Sequence, residues 1–444
     1  MTAPAADRVP ILINRNFALL WTGGAISYVG DFVFDTTLIL WIATQLAAGR
    51  SWAPVAVSGL LLAVLVPSLA FGPLAGVFVD RWDKRRTMLA MDALRAGLIA
   101  SLLIIPALGN RLPVAAQLAT VYTAVVLTTV CSQFFGPARI ALIGDVVAPE
   151  ERTRASGLTQ ITIAFAAILG PPIAAPLFVG VGIRWSLIIN ALSFVVSLLT
   201  ILVVRAPEAA RSVSPGERGN VAREFVSGLR FFVSSRALLT VTIATVIAMM
   251  GAGSLNALDV FFATTNLHAS PGLYGWLGAA FGAGAVIGGI GAAVLADRIG
   301  PARLFWMGIL AGGTGILVYS RMVSFLPAAA VLFFVAIPVA GVNAAIMPIL
   351  LMVTPRTLVG RVTGVLEPLV SLASIASIAL AAILVSTVLS GFHRTIGPIT
   401  LGPVDTIFSA AALLCIAAGV YAMVNLHPER ETHANGLDES TDAA

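Results

Sequence analysis

Asp31 and Asp35 stand four residues apart in an otherwise apolar stretch, a spacing that places both carboxylates on one face of a helix. Counting about 1.5 Å per residue from Leu19 puts Asp31 roughly 18 Å along that stretch, just past the middle of a hydrocarbon core about 30 Å thick. Asp35 lies nearer the far end. A charge at such depth costs about 2.5–3.5 kcal/mol on insertion scales. Two carboxylates there oppose each other's ionisation, and a proton on one relieves both. The chemistry on offer is reversible proton uptake. Asp31 or Asp35 is the expected carrier of a coupling proton or the contact for a substrate; the alternative is hydrogen bonding to nearby Ser or Thr with no such role. Glu367, directly before Pro368, is a further candidate, for a gate or for a second proton site. Asp92 and Arg95, spaced i,i+3, read as a neutralising structural pair. Asp259 sits near the far end of its own apolar stretch, where it can reach water or serve an outer gate.

The remaining reactive residue types argue against catalysis. Cys131 and Cys415 fall in apolar runs, and His268, His393, His427 and His433 have no metal-ligand spacing. No Ser/His/Asp set, no phosphate-cradling glycine loop and no HExxH occurs. The expectation is a protein that is not an enzyme and takes no cofactor and no metal.

The elements that must hold these charges are apolar helices. Of the 444 residues, 58% are hydrophobic and only 11% charged, with a mean hydropathy of +0.97; soluble domains carry roughly 25% charged residues. A crossing needs about 20 apolar residues, and stretches of that length recur at 17–46, 54–79, 87–107, 113–136, 155–181, 184–204, 237–263, 272–296, 302–321, 326–352, 361–389 and 401–426. The expected fold is an all-α membrane protein with twelve transmembrane helices in two six-helix bundles. The expected domains are 1–204, a cytoplasmic linker 205–236, 237–426, and a disordered tail 427–444. In the linker Val221, Phe225, Leu229 and Phe232 recur at helical spacing beside Arg223 and Arg230, the pattern of an amphipathic helix on the membrane surface. Residues 1–16 contain no apolar core, so no signal peptide is expected.

Charge then orients the chain. With the N-terminus in the cytoplasm, the inner segments hold twenty Lys and Arg and the outer segments five: Arg50, Arg111, Arg184, Arg321 and Arg394. That bias puts both termini of a multi-pass cell-membrane protein in the cytoplasm. It also accounts for the net charge of +5 without a nucleic-acid partner. The halves echo each other: Asp80-Arg81 follows the second stretch and Asp297-Arg298 the eighth, 217 residues later. Parallel six-span repeats are a transporter plan.

The segment from Gly76 to Arg85 (GVFVDRWDKR) resembles the signature loop between helices 2 and 3 of the major facilitator superfamily, with Asp83 where the pattern has a second Gly. The segment Ala293 to Gly300 (AVLADRIG) is its second copy. Gly136 to Asp145 (GPARIALIGD), between spans 4 and 5, is similar to the drug:proton antiporter branch that holds macrolide, tetracycline and siderophore exporters, and Gly170-Pro171 is similar to the antiporter Gly-Pro motif. The resemblance implies a cytoplasmic gate motif of Gly76, Asp80, Arg81, Arg85, Asp297, Arg298, Arg139 and Asp145, in which Asp80 meets the start of span 11 near Arg361. It implies proton-coupled efflux by a monomer whose partners are a small-molecule substrate, protons and the bilayer. Close helix approach is expected at Gly72/Gly76, Gly278/Gly282 and Gly284/Gly288. Span 4 reads as lacking the Arg that many proton antiporters of this superfamily carry, and Arg95 reads as the only deep basic residue. Depth restricted to acids favours a neutral or cationic substrate. Phe32, Phe34, Trp41, Phe134, Phe165, Phe261, Phe262 and Phe281 are candidates to line its cavity. A lipid or lysolipid flippase on the same fold is the nearest alternative function. A non-transporting receptor is a third, which the short loops disfavour.

Overall fold

The computed structural model describes residues 13–108, 111–205, 230–355, 358–392, 394–396 and 399–426. The expected amphipathic linker helix and the tail fall largely outside the described residues. Twelve helices are long and apolar enough to cross a membrane: α1 (Arg15–Trp41), α2 (Ala53–Val79), α3 (Lys84–Ser101), α4 (Val114–Val146), α5 (Arg152–Val181), α6 (Ile183–Val203), α7 (Arg236–Phe261), α8 (Tyr274–Ile299), α9 (Pro301–Tyr319), α10 (Phe325–Val353), α11 (Val359–Ser386) and α12 (Pro403–Asn425). In lipid a helix satisfies its own backbone polar groups, which is why apolar stretches of this length have no other stable form.

Helix ends follow local chemistry. Asp83 caps α3, its carboxylate accepting from the Arg86 N–H at 2.6 Å; the residue that replaces the family's glycine is thus a helix cap. Gly182 and Gly300, with φ of 84° and 82°, make one-residue turns from α5 to α6 and from α8 to α9, a left-handed conformation that glycine holds without strain.

One expectation needs correction. Helix α4 runs to Val146, so the segment Gly136–Asp145 is the end of a helix and not a loop between spans. Gly-Pro reads as a turn in water, but Pro inside a membrane helix is tolerated because neighbouring groups satisfy the freed carbonyl. The all-α fold class stands; the one addition is a short pairing of Arg394–Ile396 with Ile399–Leu401, antiparallel, between α11 and α12.

The chain divides into two compact units, one of Met1–Trp41 with Val66–Val213, the other of Ile42–Leu65 with Ser214–Ala444. In the first, α1 lies along α5 and α6, and α3 along α4 and α6. In the second, α10 packs on α8 and α9, and α7 on α11 and α12. The second unit also takes the far half of α2: Leu61, Leu62 and Leu65 pack against the cluster of Phe262, Tyr319 and Phe408, and Ser58 donates to the Ile378 carbonyl at 3.4 Å. An internal repeat is visible in the backbone, since α1 and α7 each end in a five-residue π turn, Ile42–Leu46 and Phe262–Asn266.

Glycines set some helix spacings. β-Carbons on Gly284 and Gly288 would strike the Phe333 and Ile337 carbonyls of α10. Gly76, by contrast, faces open space, and Gly72 nears only the Gln133 side chain, so the expected close approach at that pair is absent among the described residues.

This contrast is testable. Gly288→Ala should lower stability by about 1–3 kcal/mol because the carbonyl behind it cannot move freely. Gly291→Ala, with nothing within 4 Å of the new carbon, should be neutral or gain up to about 1 kcal/mol of helix propensity. Thermal unfolding of the detergent-purified pair checks this; equal shifts would contradict the packing described.

Candidate functional site

The charged residues of the first unit form a layered site. Its deepest part is Asp92 and Arg95, both on α3 and 0% and 3% exposed, which form an ion pair. The Arg95 guanidinium lies between the Phe135 ring of α4 and the Phe194 ring of α6, 4.2 and 4.4 Å from their centroids. Its planar, weakly hydrated cation suits two aromatic faces, which offset part of the cost of leaving water. A hydrogen bond of 3.5 Å to Ser132 Oγ completes its setting. The expected neutralising pair is therefore present, and it carries a cation stacked on both faces.

Arg139 is the residue the sequence reading misplaced. It lies inside α4, 5% exposed, with its guanidinium 4.9 Å from the centre of the Tyr28 ring on α1. A β-carbon on Gly24 would occupy its place. Nε and Nη2 of Arg139 are buried without a hydrogen-bond partner among the described residues. Span 4 thus does carry an arginine, and Arg95 is not the only buried cation. The apolar run from Ile140 to Ile143 was the available sign that the helix continues past Gly136-Pro137.

Along α1, Gly24, Tyr28, Asp31 and Asp35 follow one face at intervals of four, three and four residues. Asp31 is partly buried and Asp35 exposed. Neither carboxylate has a hydrogen bond or salt bridge among the described residues of its unit, so the alternative of a satisfied structural pair bonded to Ser or Thr finds no support there. Asp31 lies within electrostatic reach of Arg95, Asp92 and Asp35, and Arg139 within reach of Asp92 and Arg95.

The opposite side of α1 explains how this face is held. Gly30 lies against Ser193 and Asn190 of α6, and Gly170 of α5 against Phe32. Thr37 donates to the Val33 carbonyl at 2.7 Å and to Ser186 at 3.3 Å. Gly170 therefore acts as an approach point for α5 on the side of α1 away from the two carboxylates.

The gate-motif residues divide. Lys84 pairs with Asp145 at 2.8 Å, and Arg85 donates to the Ile201 and Leu202 carbonyls at 3.1 and 2.6 Å, satisfying the end of α6. These contacts tie α3 to α4 and α6. Asp80 and Arg81 are exposed at the end of α2, with no side-chain partner among the described residues of their unit. In the second unit, Asp297 and Arg298 are exposed near the end of α8, and Glu367 is exposed on α11. Asp259 does not simply reach water: it accepts from the fully buried Tyr319 hydroxyl at 2.6 Å. Asp405, unmarked in the sequence reading, is 4% exposed and accepts from the Gly402 N–H at 3.0 Å; Pro403 and Asp405 in the first turn were its sign as a helix-start residue. Phe134 stacks on Trp82 at 5.7 Å and Phe262 packs between Tyr319 and Phe408, so these two rings serve packing. Among the described residues there is no His/Cys/Asp/Glu group that could hold a metal.

Residues 8–362 match the family described as transmembrane secretion effector. The chain is 24% identical over 324 residues to macrolide efflux protein A of Streptococcus pyogenes, covering 71% of this chain and 76% of that protein. It is 27% identical over 396 residues to the multidrug efflux pump Tap of Mycobacterium tuberculosis, covering 86% and 87%. Among solved structures, the nucleoside transporter NupG superposes with a TM-score of 0.69 at 10% identity, over 92% of this chain and 98% of that one.

The ion pair makes a sharp prediction. Asp92→Asn or Arg95→Gln alone strands a buried charge and should cost about 3–5 kcal/mol. The double variant should cost clearly less than the sum. Thermal stability in detergent measures both; additive losses would contradict a coupled pair.

Proposed function

The chain belongs to the transmembrane secretion effector family and is a major facilitator transporter with a multi-pass membrane fold, and from that premise we propose that it exports amphipathic neutral or cationic small molecules in exchange for protons, by alternating access, with both termini in the cytoplasm. The observation that carries this reading is the charge of the site. Asp92 lies within electrostatic reach of both buried guanidiniums, Arg95 and Arg139; Asp31 lies within reach of Arg95 and Asp92, and Asp35 within reach of Asp31. Fully ionised, the group holds one unbalanced negative charge.

In a low-dielectric surrounding that charge is costly, and either of two events removes it. A proton can bind Asp31 or Asp35, or a monovalent cation can bind beside them. Both together overcharge the site. Competition between proton and cation for one charge is the elementary condition for exchange, and it needs no further cofactor. A neutral substrate is accommodated by the protonated form. Asp31, nearer Arg95 in electrostatic terms, stays linked to the buried charges; Asp35 is the more accessible of the two. Efflux as the direction draws support from the relatives named for macrolide and multidrug efflux. With Arg139 placed inside α4, the bias of nineteen basic residues against five still supports the orientation.

Asp80 and Arg81, left free by the contacts inside their unit, are the part of the loop motif proposed to gate. Lys84 and Arg85 hold the unit together instead, and the partly exposed Lys84–Asp145 pair contributes at most about 1 kcal/mol.

The experiment is efflux of a cationic dye from cells stripped of their own pumps. Wild type should expel the dye and stop when an uncoupler is added. Asp31→Asn/Asp35→Asn, expressed to the same level, should lose active efflux by at least about tenfold, a barrier change of about 1.4 kcal/mol or more. Uncoupler-sensitive efflux that persists in the double variant would sink the assignment of the coupling carboxylates.

A further inference from the structure

Basic residues are scarce in the loops at the end of the molecule opposite the termini. Arg50, Arg111, Arg184, Arg321 and Arg394 are the five the sequence places there. Three of them, Arg50, Arg321 and Arg394, line a single cavity of about 920 Å³ in the second unit. Arginine on this side runs against the bias that orients the chain, so its concentration at one cavity is not a by-product of topology.

The cavity lies among the loop before α2, the end of α7, the turn between α9 and α10, and the hairpin before α12. It holds one carboxylate, Asp405, which is already engaged by the Gly402 N–H at 3.0 Å and by Asn266. Arg321 donates to Ser409. The side chains of Arg50 and Arg394 have no hydrogen bond or ion pair among the described residues. His268 adds a further donor group, held at φ 48°, where residues other than glycine are uncommon. The walls are partly apolar, with Phe261, Met322 and Val385. A space lined by three arginines, with no free anion among the described residues that line it and with an apolar side, matches a specific ligand chemistry. Guanidinium forks bind phosphate oxygens in pairs, and the volume is that of a small-molecule site rather than of a bare ion.

We propose that this cavity binds a phosphate group carried on an apolar or polyol body, held by Arg50, Arg321 and Arg394. The phosphate can come from a lipid headgroup of the facing leaflet or from a soluble phosphate ester. The proposal stands apart from proton-coupled efflux, because none of its residues belongs to the α1 site.

The test is binding to the purified full-length protein in detergent, followed by native mass spectrometry, with phosphatidylglycerol and glycerol 3-phosphate as probes. Two variants of equal charge are compared: Arg50→Gln/Arg394→Gln in the cavity and Arg111→Gln/Arg184→Gln elsewhere at the same end. The cavity pair should weaken binding by about tenfold or more and the control pair by less than about twofold. Saturable binding of phosphatidylglycerol alone assigns the lipid as the source; binding of glycerol 3-phosphate as well assigns the soluble ester. Arg50→Gln alone, in an exposed loop, serves if the double variant does not fold. Equal weakening by both pairs, no weakening by the cavity variants, or no binding of either probe to wild type would overturn the proposal.

Discussion

An uneven number of charges, three of them buried, gathered in the first unit is the constraint on which the proposed account depends. Two guanidiniums and three carboxylates cannot all be neutralised by pairing among themselves. The Asp92–Arg95 pair closes within α3, Arg139 is enclosed by Tyr28 and Gly24, and Asp31, partly buried, and Asp35, exposed, are left on one face of α1. A fold that only needed stability would have replaced such a cluster by apolar residues of similar volume.

The scaffold is shaped to this end by the removal of side chains as much as by their presence. Gly24 leaves room for a guanidinium, Gly30 seats α1 on Ser193 and Asn190, and Gly170 lets α5 touch α1 at Phe32. Each of these positions controls where the carboxylate face of α1 points. The rings of Phe135 and Phe194 supply what water would otherwise provide to Arg95. At the termini end, Arg85 fastens α3 to the last carbonyls of α6, so that the buried cluster sits in a unit whose helices are tied together at their ends. The second unit has no comparable group of buried arginines among the described residues; its buried acid, Asp259, is answered by Tyr319.

The fold was legible in the sequence because bilayer thickness dictates helix length. The twelve spans follow from that rule, and the pairs Asp31/Asp35 and Asp92/Arg95 from the spacing of helix faces. Where the reading failed, solvent-based rules had been applied inside the membrane. Span 4 reads as ending at Gly136 and Arg139 falls with the segment between spans, although the helix passes straight through both. The hairpin Arg394–Leu401 escaped because its strands are three residues each. The double stacking of Arg95 could not be seen at all, since Phe135 and Phe194 come from helices whose neighbours no periodicity identifies. Asp83 shows the converse: a departure from the family pattern became intelligible as a helix cap once its hydrogen bond to Arg86 was known.

The central claim is that one charge at the α1 site is held by a proton or by a substrate, never by both. The most direct measurement is proton release from unbuffered, detergent-purified protein when a saturating cationic substrate is added, followed with a pH-sensitive dye. The account predicts release approaching one proton per molecule at a pH where the site is protonated, abolished in Asp31→Asn/Asp35→Asn. Substrate binding of undiminished affinity with no proton release at any pH would contradict it.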